Sequence, residues 1–567
     1  MLRTAVTTGL LIMAALAAQA GAQGESVKYF RHVTVDGRYD IVGMNEIPEE
    51  RATGINCYRF IYDEAERPTE IVLIKGGRPS PGSYFGEKVA SAKIAYGEGF
   101  ERRLYYNAAG IRVPDAGEVF GRAFKLDANG YRVSMTNRDS QNRPAYDNAG
   151  VVRYDWEVDG KGRRTTEKRF DKVGIQFEDQ LGRYESRWEY GETDYPTRVS
   201  YYGEEGKLSE DEFGTAVEEF AYDAAGRLIE TRYLGEKRKP RCRRGIIPSY
   251  EFWDYFVTRR RNLEYAVERR EYDKDGYLTA VSYFDEKGNP AEREDTGTAV
   301  ERYTYDERGN LIKVSYCGKN GNPTKSKLDG ACAVKNTFGP YGDAITTEYY
   351  DAKGKPTNRS EYGCAGIHTS YDEAGNIIEE RYYDRDGEPS VRKDVGSVAM
   401  IQWDRDDCGH ATEARYYDLD GKPKEVKRCA KTVMKHDEYG YLLEERYFDC
   451  EGAPTKKRDW FFEYAAESRA YDEARNLVET CRYGPDGKLL GETLTSIAIV
   501  RAAYDARGRL VQFSFHDEGG KLTDHYFDYA IARFEYGEED GREVVRTFFY
   551  NCLDQILDIV DFKLIEY

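Results

Sequence analysis

The chain has 567 residues, 33% of them charged and 14% aromatic, and carries a formal net charge of −18. A mean hydropathy of −0.77 is polar for a folded protein, but 48 tyrosines and 24 phenylalanines exclude the aromatic-poor composition of disordered chains. The charge argues against wholesale binding of nucleic acid or of an anionic membrane, because phosphate recognition needs a basic face.

The chain opens with Arg3, an apolar run from Leu10 to Ala18, and the small residues Ala20-Gly21-Ala22. That order predicts an export signal over 1–22, cleaved after Ala22. The run is shorter than the ~20 apolar residues a membrane span needs, and no later run reaches that length. A bacterial protein, periplasmic or secreted, with no transmembrane segment in the mature chain, is therefore expected. Residues 23–56 read as an atypical cap, as terminal units of repeat arrays do.

From residue 57 onward one unit recurs. Its clearest copy is YDEAGNIIEERYYDRDGEP, Tyr371 to Pro389. Aromatic-Asp anchors or their degenerate equivalents stand near Tyr62, Tyr96, Leu126, Trp156, Tyr190 and Tyr222. Beyond an insertion they resume at Tyr272, Tyr305, Phe338, Tyr371, Trp403, His436, Tyr471, Tyr504 and Tyr536. This gives about fifteen units of about 33 residues. They are degenerate over 57–234, interrupted at 235–262, and regular over 263–536, with a C-terminal cap at 537–567.

Positions within the unit recur too. Six residues before the anchor comes a small residue, as at Ala216, Ala266, Ala365 and Ala498, which predicts close backbone approach between units. Four residues after it comes Gly, as at Gly226, Gly276, Gly375 and Gly508, where a tight turn needs positive φ. Arg475 breaks that rule, so its turn should differ. Leu or Ile follows, and an aromatic such as Tyr233, Tyr283 or Tyr382 stands eleven residues after the anchor. Alternation within short segments, punctuated by 55 Gly and 17 Pro, predicts strands and disfavours helix. The fold class expected is all-β, a tandem array of antiparallel hairpins. Two geometries remain open, a solenoid gaining ~5 Å per unit or a hairpin ribbon gaining ~10–14 Å. The two-turn pattern favours the ribbon.

The Tyr-Asp-x-x-Gly-Asn/Arg-Leu core, as in YDERGNLIKVSY from Tyr305, resembles the YD repeat of bacterial RHS-type proteins. The resemblance covers most of the chain after Tyr62 and implies an extended β-hairpin array on an exported protein. The toxin segment and cleavage motif of that family are not evident, so a toxin-enclosing shell is not implied. YYDLDGKP, from Tyr416, distantly resembles aromatic cell-wall-binding repeats, which implies glycan binding.

The insertion is the candidate binding site. It holds Lys237, Arg238, Lys239, Arg241, Arg243, Arg244, Arg259, Arg260 and Arg261, opposed by Glu236, Glu251 and Asp254, an island of about +6 in an acidic chain. Trp253 and its aromatic neighbours lie between the basic ends. Cations with aromatics suit a polyanionic or glycan envelope component or an acidic protein. The plainer reading is a loop packed on its own acidic array. Asp-x-Asp-Gly runs such as Asp384 to Gly387 read as turn chemistry rather than calcium loops. Cys332 and Cys364 fall at nearly one phase of adjacent units and form a candidate disulfide. The six His have no metal spacing, and no nucleophile elbow, P-loop or dinucleotide fingerprint occurs. The expectation is a non-catalytic binding protein without cofactor or metal. The alternatives are a purely structural envelope scaffold, or a glycan binder using tyrosine ladders.

Overall fold

The computed structural model describes residues 26–563 apart from 53, 247–259, 360–361, 374, 407–408, 438–439, 460–461, 473–475, 492–495, 506–508, 526–527 and 540–541. The expected signal at 1–22, Trp253, Arg259, Arg475 and Gly508 thus lie outside the described residues.

The chain is all-β, as expected. A continuous sheet of 34 strands is antiparallel at every junction of the array, and the helix Glu49–Ala52 is a single turn. The repeating hairpin is seen at Val217–Tyr222 and Leu228–Leu234, joined by the turn at Asp223 to Arg227. In that turn Gly226 donates its N–H to the Asp223 carbonyl, and Asp223 donates to the Arg227 carbonyl. The Asp223 carboxylate accepts the N–H groups of Ala225 and Arg227, both at 2.9 Å. Gly226 takes φ 78°, and the register slips between Ala221 and Tyr222. This is a three-residue hairpin loop with a glycine bulge. Asn107 does the same work for Ala109 and Ile111, so the amide oxygen suffices. Among the described residues fifteen hairpins run from Cys57–Tyr62/Pro68–Lys75 to Ile531–Glu539/Arg542–Tyr550, most with this turn; Ser91–Gly97/Phe100–Tyr106 closes instead between Gly97 and Phe100 with no register slip.

A second turn follows each hairpin from Ser91–Gly97/Phe100–Tyr106 onward. After it the last strand residue bridges to a position six residues on, often proline, as in Leu234 with Pro240 and Tyr383 with Pro389. Proline cannot donate to the ladder and so ends it. The chain then crosses in a loop whose N–H bonds to the loop of the preceding unit: Glu212 to Leu181, Lys327 to Thr296, Lys393 to Tyr362. Within a hairpin the ladder is long, but between units it is short, from Glu230↔Arg269 to Arg232↔Val267. Two strands per unit at the ordinary inter-strand spacing advance the ribbon about 10 Å. The hairpin ribbon, not one coil per unit, is the geometry adopted.

The small residue sits where two units join. Ala266 donates to the Phe284 carbonyl of its own hairpin and accepts from Tyr233 of the preceding one. It is fully buried, as are Ala216 and Ala530. The anchor tyrosine is a clamp. Its hydroxyl donates to the preceding unit's second strand, Tyr272 to Leu228, Tyr371 to Ala344 and Tyr536 to Leu510, at 2.8–2.9 Å. Two expected anchors are corrected here. The strands holding Trp156 and Trp403 end two residues later, at Val158 and Arg405. Arg405 replaces the clamp, donating from Nε to the Ile377 carbonyl at 2.7 Å. Where Phe338 has no hydroxyl, Asn336 donates from Nδ2 to the Leu311 carbonyl at 3.3 Å.

The N-terminal strands β1 (Ser26–Val35) and β2 (Ile41–Ile47) form a hairpin that joins the array through β1 and β3 (Cys57–Tyr62). They pack with β3 and β4 (Pro68–Lys75) through Phe30, Ile41, Phe60 and Ile71. The ribbon then coils back over them. Gly37 donates to the Asp194 carbonyl at 2.7 Å and Asn56 to that of Arg308 at 2.8 Å, while Arg78 pairs with Asp343 at 3.0 Å.

Candidate functional site

The coiling gives the two rows of turns opposite environments. First turns face neighbours in most units, although Gly99 and Gly130 stand in open space. A Cβ on Gly276 would stand 2.5 Å from Asn45 Oδ1, and one on Gly309 would collide with Tyr277. Second turns face outward, and a Cβ on Gly206, Gly288, Gly354 or Gly421 would meet nothing within 4 Å. The outer edge therefore displays one turn per unit, about 10 Å apart.

The expected binding residues divide between these environments. Lys237, Arg238 and Lys239 are exposed in the second turn of their unit, closed by Gly235 N–H to the Lys239 carbonyl. Among the described residues none of the three has an ion-pair partner. Arg238 has φ 54° at the position where the neighbouring units place Gly206 and Gly288. A long side chain in that left-handed region costs about 1–2 kcal/mol of backbone energy. The next three cations make contacts with the array, although Arg244 stays exposed. Arg243 lies 4.5 Å from the Phe213 ring centre and 4.7 Å from that of Tyr233. Arg241 and Arg244 reach Glu210 at 3.5 and 3.7 Å. Arg260 and Arg261 lie on the short strand Arg260–Asn262, paired with Arg244–Ile246. Among the described residues of the insertion, these two short strands pair beside the crossing loop, and Arg241, Arg243 and Arg244 contact the insertion's own array.

Cys332 and Cys364 are free thiols. The residue matching Cys332 is Ala365: Cys332 donates to the Tyr350 carbonyl and Ala365 to that of Tyr383. An offset of one residue turns a strand side chain to the opposite face. Burial pushes the Cys364 thiol up to about 11.

Between the N-terminal strands and the first-turn row lies a cavity of about 880 Å³, lined by Arg31, His32, Trp188, Tyr222, Tyr277 and Tyr305 among others. Tyr277 and Tyr305 stack with ring centres 4.7 Å apart, and Tyr195 and Tyr222 at 5.3 Å. A second feature that motif reading missed is a ladder of loop carboxylates, Asp115, Asp147, Asp179 and Asp211, 32 residues apart. Each holds its own loop through backbone N–H groups and turns its other oxygen to a side chain: Arg122 on Asp115 at 2.8 Å, Arg169 on Asp179 at 2.7 Å, Tyr154 on Asp147 at 2.7 Å. Arg183 takes the same place on Asp211. The signal was present as Asp-x-x-Gly at 147, 179 and 211, but it runs out of phase with the anchors and is hidden by them. Among the described residues no group of three His, Cys, Asp or Glu could hold a metal ion, and no helix is long and apolar enough to cross a membrane.

No protein-family model matches the sequence, and no curated protein matches it. Among solved structures the chain is similar to one in the crystal structure of TcdB2-TccC3-Cdc42, at 10% identity and a TM-score of 0.29 over 95% of this chain and 29% of that one. It is also similar to one in the Photorhabdus luminescens Tc holotoxin pore, at 10% identity and a TM-score of 0.26 over 92% of this chain and 27% of that one. The chain thus spans between a quarter and a third of the length of these two chains.

Proposed function

We propose that the protein is an exported, non-catalytic repeat scaffold whose outward turns present a multivalent surface to a cell-envelope or extracellular partner. The turn Lys237-Arg238-Lys239 is its contact for a polyanionic group. The observation that carries this is Arg238, a cation held in a left-handed backbone where the neighbouring units place glycine. Local stability would favour glycine there, so an arginine present at that cost supports a role outside the fold. The outer row supports multivalency, because units repeated about 10 Å apart add weak contacts into avidity.

Co-sedimentation of the mature protein with peptidoglycan, outer lipid and membrane-protein fractions, at low and high salt, tests the reading. Arg238→Gly should raise thermal stability slightly and weaken binding several-fold. High salt should weaken wild-type binding, because exposed charges are screened. Equal binding by wild type and Arg238→Gly would sink the proposal. A glycan-binding reading draws on the stacked tyrosine pairs in the 880 Å³ cavity. Salt-insensitive, saturable binding to neutral polysaccharide would favour it over the cationic turn.

A further inference from the structure

A smaller cavity of about 320 Å³ lies inside the first half of the array, lined by Arg122, Arg164, Arg169, Arg183, Trp188 and Ser186 among others. It shares Tyr39, Arg164 and Trp188 with the larger cavity, so the two adjoin. Four guanidinium groups in one small space would repel unless each were balanced, and each has a carboxylate: Asp115 on Arg122, Glu167 on Arg164, Asp179 on Arg169 and Asp211 on Arg183. The carboxylates are occupied on the protein side. Glu167 accepts from Trp156 Nε1 at 3.0 Å, Arg164 at 3.2 Å and Arg169 at 3.0 Å. Asp147 accepts from Asn137, Tyr154, Ala149 and Val151. Asp115, Asp179 and Asp211 each spend one oxygen on their own loop, as at Gly117, Leu181 and Phe213.

The donors are not all used. Arg169 is 3% exposed, and its Nη1 has no hydrogen-bond partner among the described residues. The same holds for Arg122 Nε, Arg164 Nε and Trp188 Nε1, whereas no carboxylate oxygen lining the cavity is left over. A buried donor without an acceptor is destabilising, and four on residues around one cavity call for a guest rich in acceptors. Arg164 is fixed as a wall by the rings of Trp188, Tyr39 and Trp156, 4.5, 4.9 and 5.2 Å away. Arg169 is fixed by Glu167 and by Ser186 Oγ at 2.8 Å. The donors are held in place before any guest arrives, which lowers the ordering cost of binding.

We propose that this arginine-walled cavity binds a small oxyanion, a phosphate or carboxylate group, with the body of its carrier lying in the adjoining larger cavity. Guanidinium forks suit either group. This site is separate from the outward cationic turn, and its failure would leave that turn untouched.

Trp156 and Trp188 report on the site, so intrinsic tryptophan fluorescence of the full chain can be titrated with inorganic phosphate and, separately, with acetate. Chloride at matched ionic strength is the reference. A saturable change with either probe and none with chloride is expected. Trp188→Phe keeps an aromatic ring, though a smaller one, but removes the donor, and should weaken binding about 3- to 10-fold without loss of fold. Arg169→Gln should abolish binding, and phosphate-induced thermal stabilisation should vanish with it. If Arg169→Gln does not fold, Trp188→Phe decides by calorimetry with the same probes. An identical response to chloride, or wild-type affinity in Trp188→Phe, would overturn the site.

Discussion

At the residue scale, two glycines separate backbone strain from crowding. Gly276 and Gly288 have φ of 89° and 82°, so alanine at either should cost about 1–2 kcal/mol for the left-handed backbone. At Gly288 nothing stands within 4 Å, whereas at Gly276 the new carbon would press on Asn45 and His32. Gly276→Ala should therefore be the more damaging by about 1–2 kcal/mol, with faster amide exchange in β2. Equal losses would show that β2 yields freely. The turn aspartates make a second prediction. Burial pushes the Asp223 carboxyl up, but the N–H of Arg227 and its guanidinium outweigh that and leave it below the ordinary value. The Arg67 guanidinium lowers Asp63, and the N–H groups of Lys355 and Lys353 lower Asp351. A depressed folded value contributes stability that is complete above the unfolded value of about 3.9 and is lost as pH falls through the folded one. Acid should therefore weaken the hairpins below about pH 4. Asp223→Asn should keep the turn at neutral pH, as Asn107 does, while Asp223→Ala should cost about 1–2 kcal/mol. Matching urea midpoints for the two variants at pH 7 would show that the side-chain oxygen is dispensable.

At the element scale, each hairpin is finished by its neighbour. Tyr371→Phe removes the hydroxyl that reaches the Ala344 carbonyl and should cost about 1 kcal/mol. Its effect should be confined to exchange at the junction of strands Ala344–Tyr350 and Gly366–Tyr371, because stability in repeat arrays is a nearest-neighbour property. Loss of protection spread evenly along the array would contradict that. The hairpin, its glycine turn, its buried aromatic and its small junction residue were all legible in the sequence, because each is a local demand repeated many times. Tyr382 and Tyr447, the aromatics eleven residues on, are indeed the buried centres of their units, with their hydroxyls on Glu380 and Glu445. The exceptions were not legible. The clamp can be made by Arg405 from the strand end or by Asn336 two residues earlier, and a search for aromatics fixes on Trp403 instead. The cysteine pair was misplaced by one residue for a related reason: in a strand, a single step of phase decides the face.

At the scale of the whole molecule, the contacts that turn a ribbon into a coil join residues hundreds of positions apart, and no periodicity in the sequence announces them. Arg78 is the clearest case. Its guanidinium pairs with Asp343 at 3.0 Å, lies 3.8 Å from the Tyr341 ring centre and donates to the Glu373 carbonyl. One side chain near the end of β4 thus ties two successive first turns to the N-terminal strands. Burial pushes the Asp343 carboxyl up, with Arg78 and then Lys75 acting against it. Without Arg78 only Lys75 would balance that carboxylate, and burial already pushes Lys75 down. Arg78→Ala should therefore cost about 1–3 kcal/mol of local stability. Each hairpin is held by the units on either side, so the array itself should stay folded while the coil loosens. Hydrogen exchange should speed up at 339–343, at 372–376 and at the end of β4, and small-angle scattering should show a larger radius. The outward turn at 285–289 should be unchanged. Acceleration there too would mean that closure and array stability are one property, and no acceleration anywhere would mean that the coil is set by the twist of the ribbon alone.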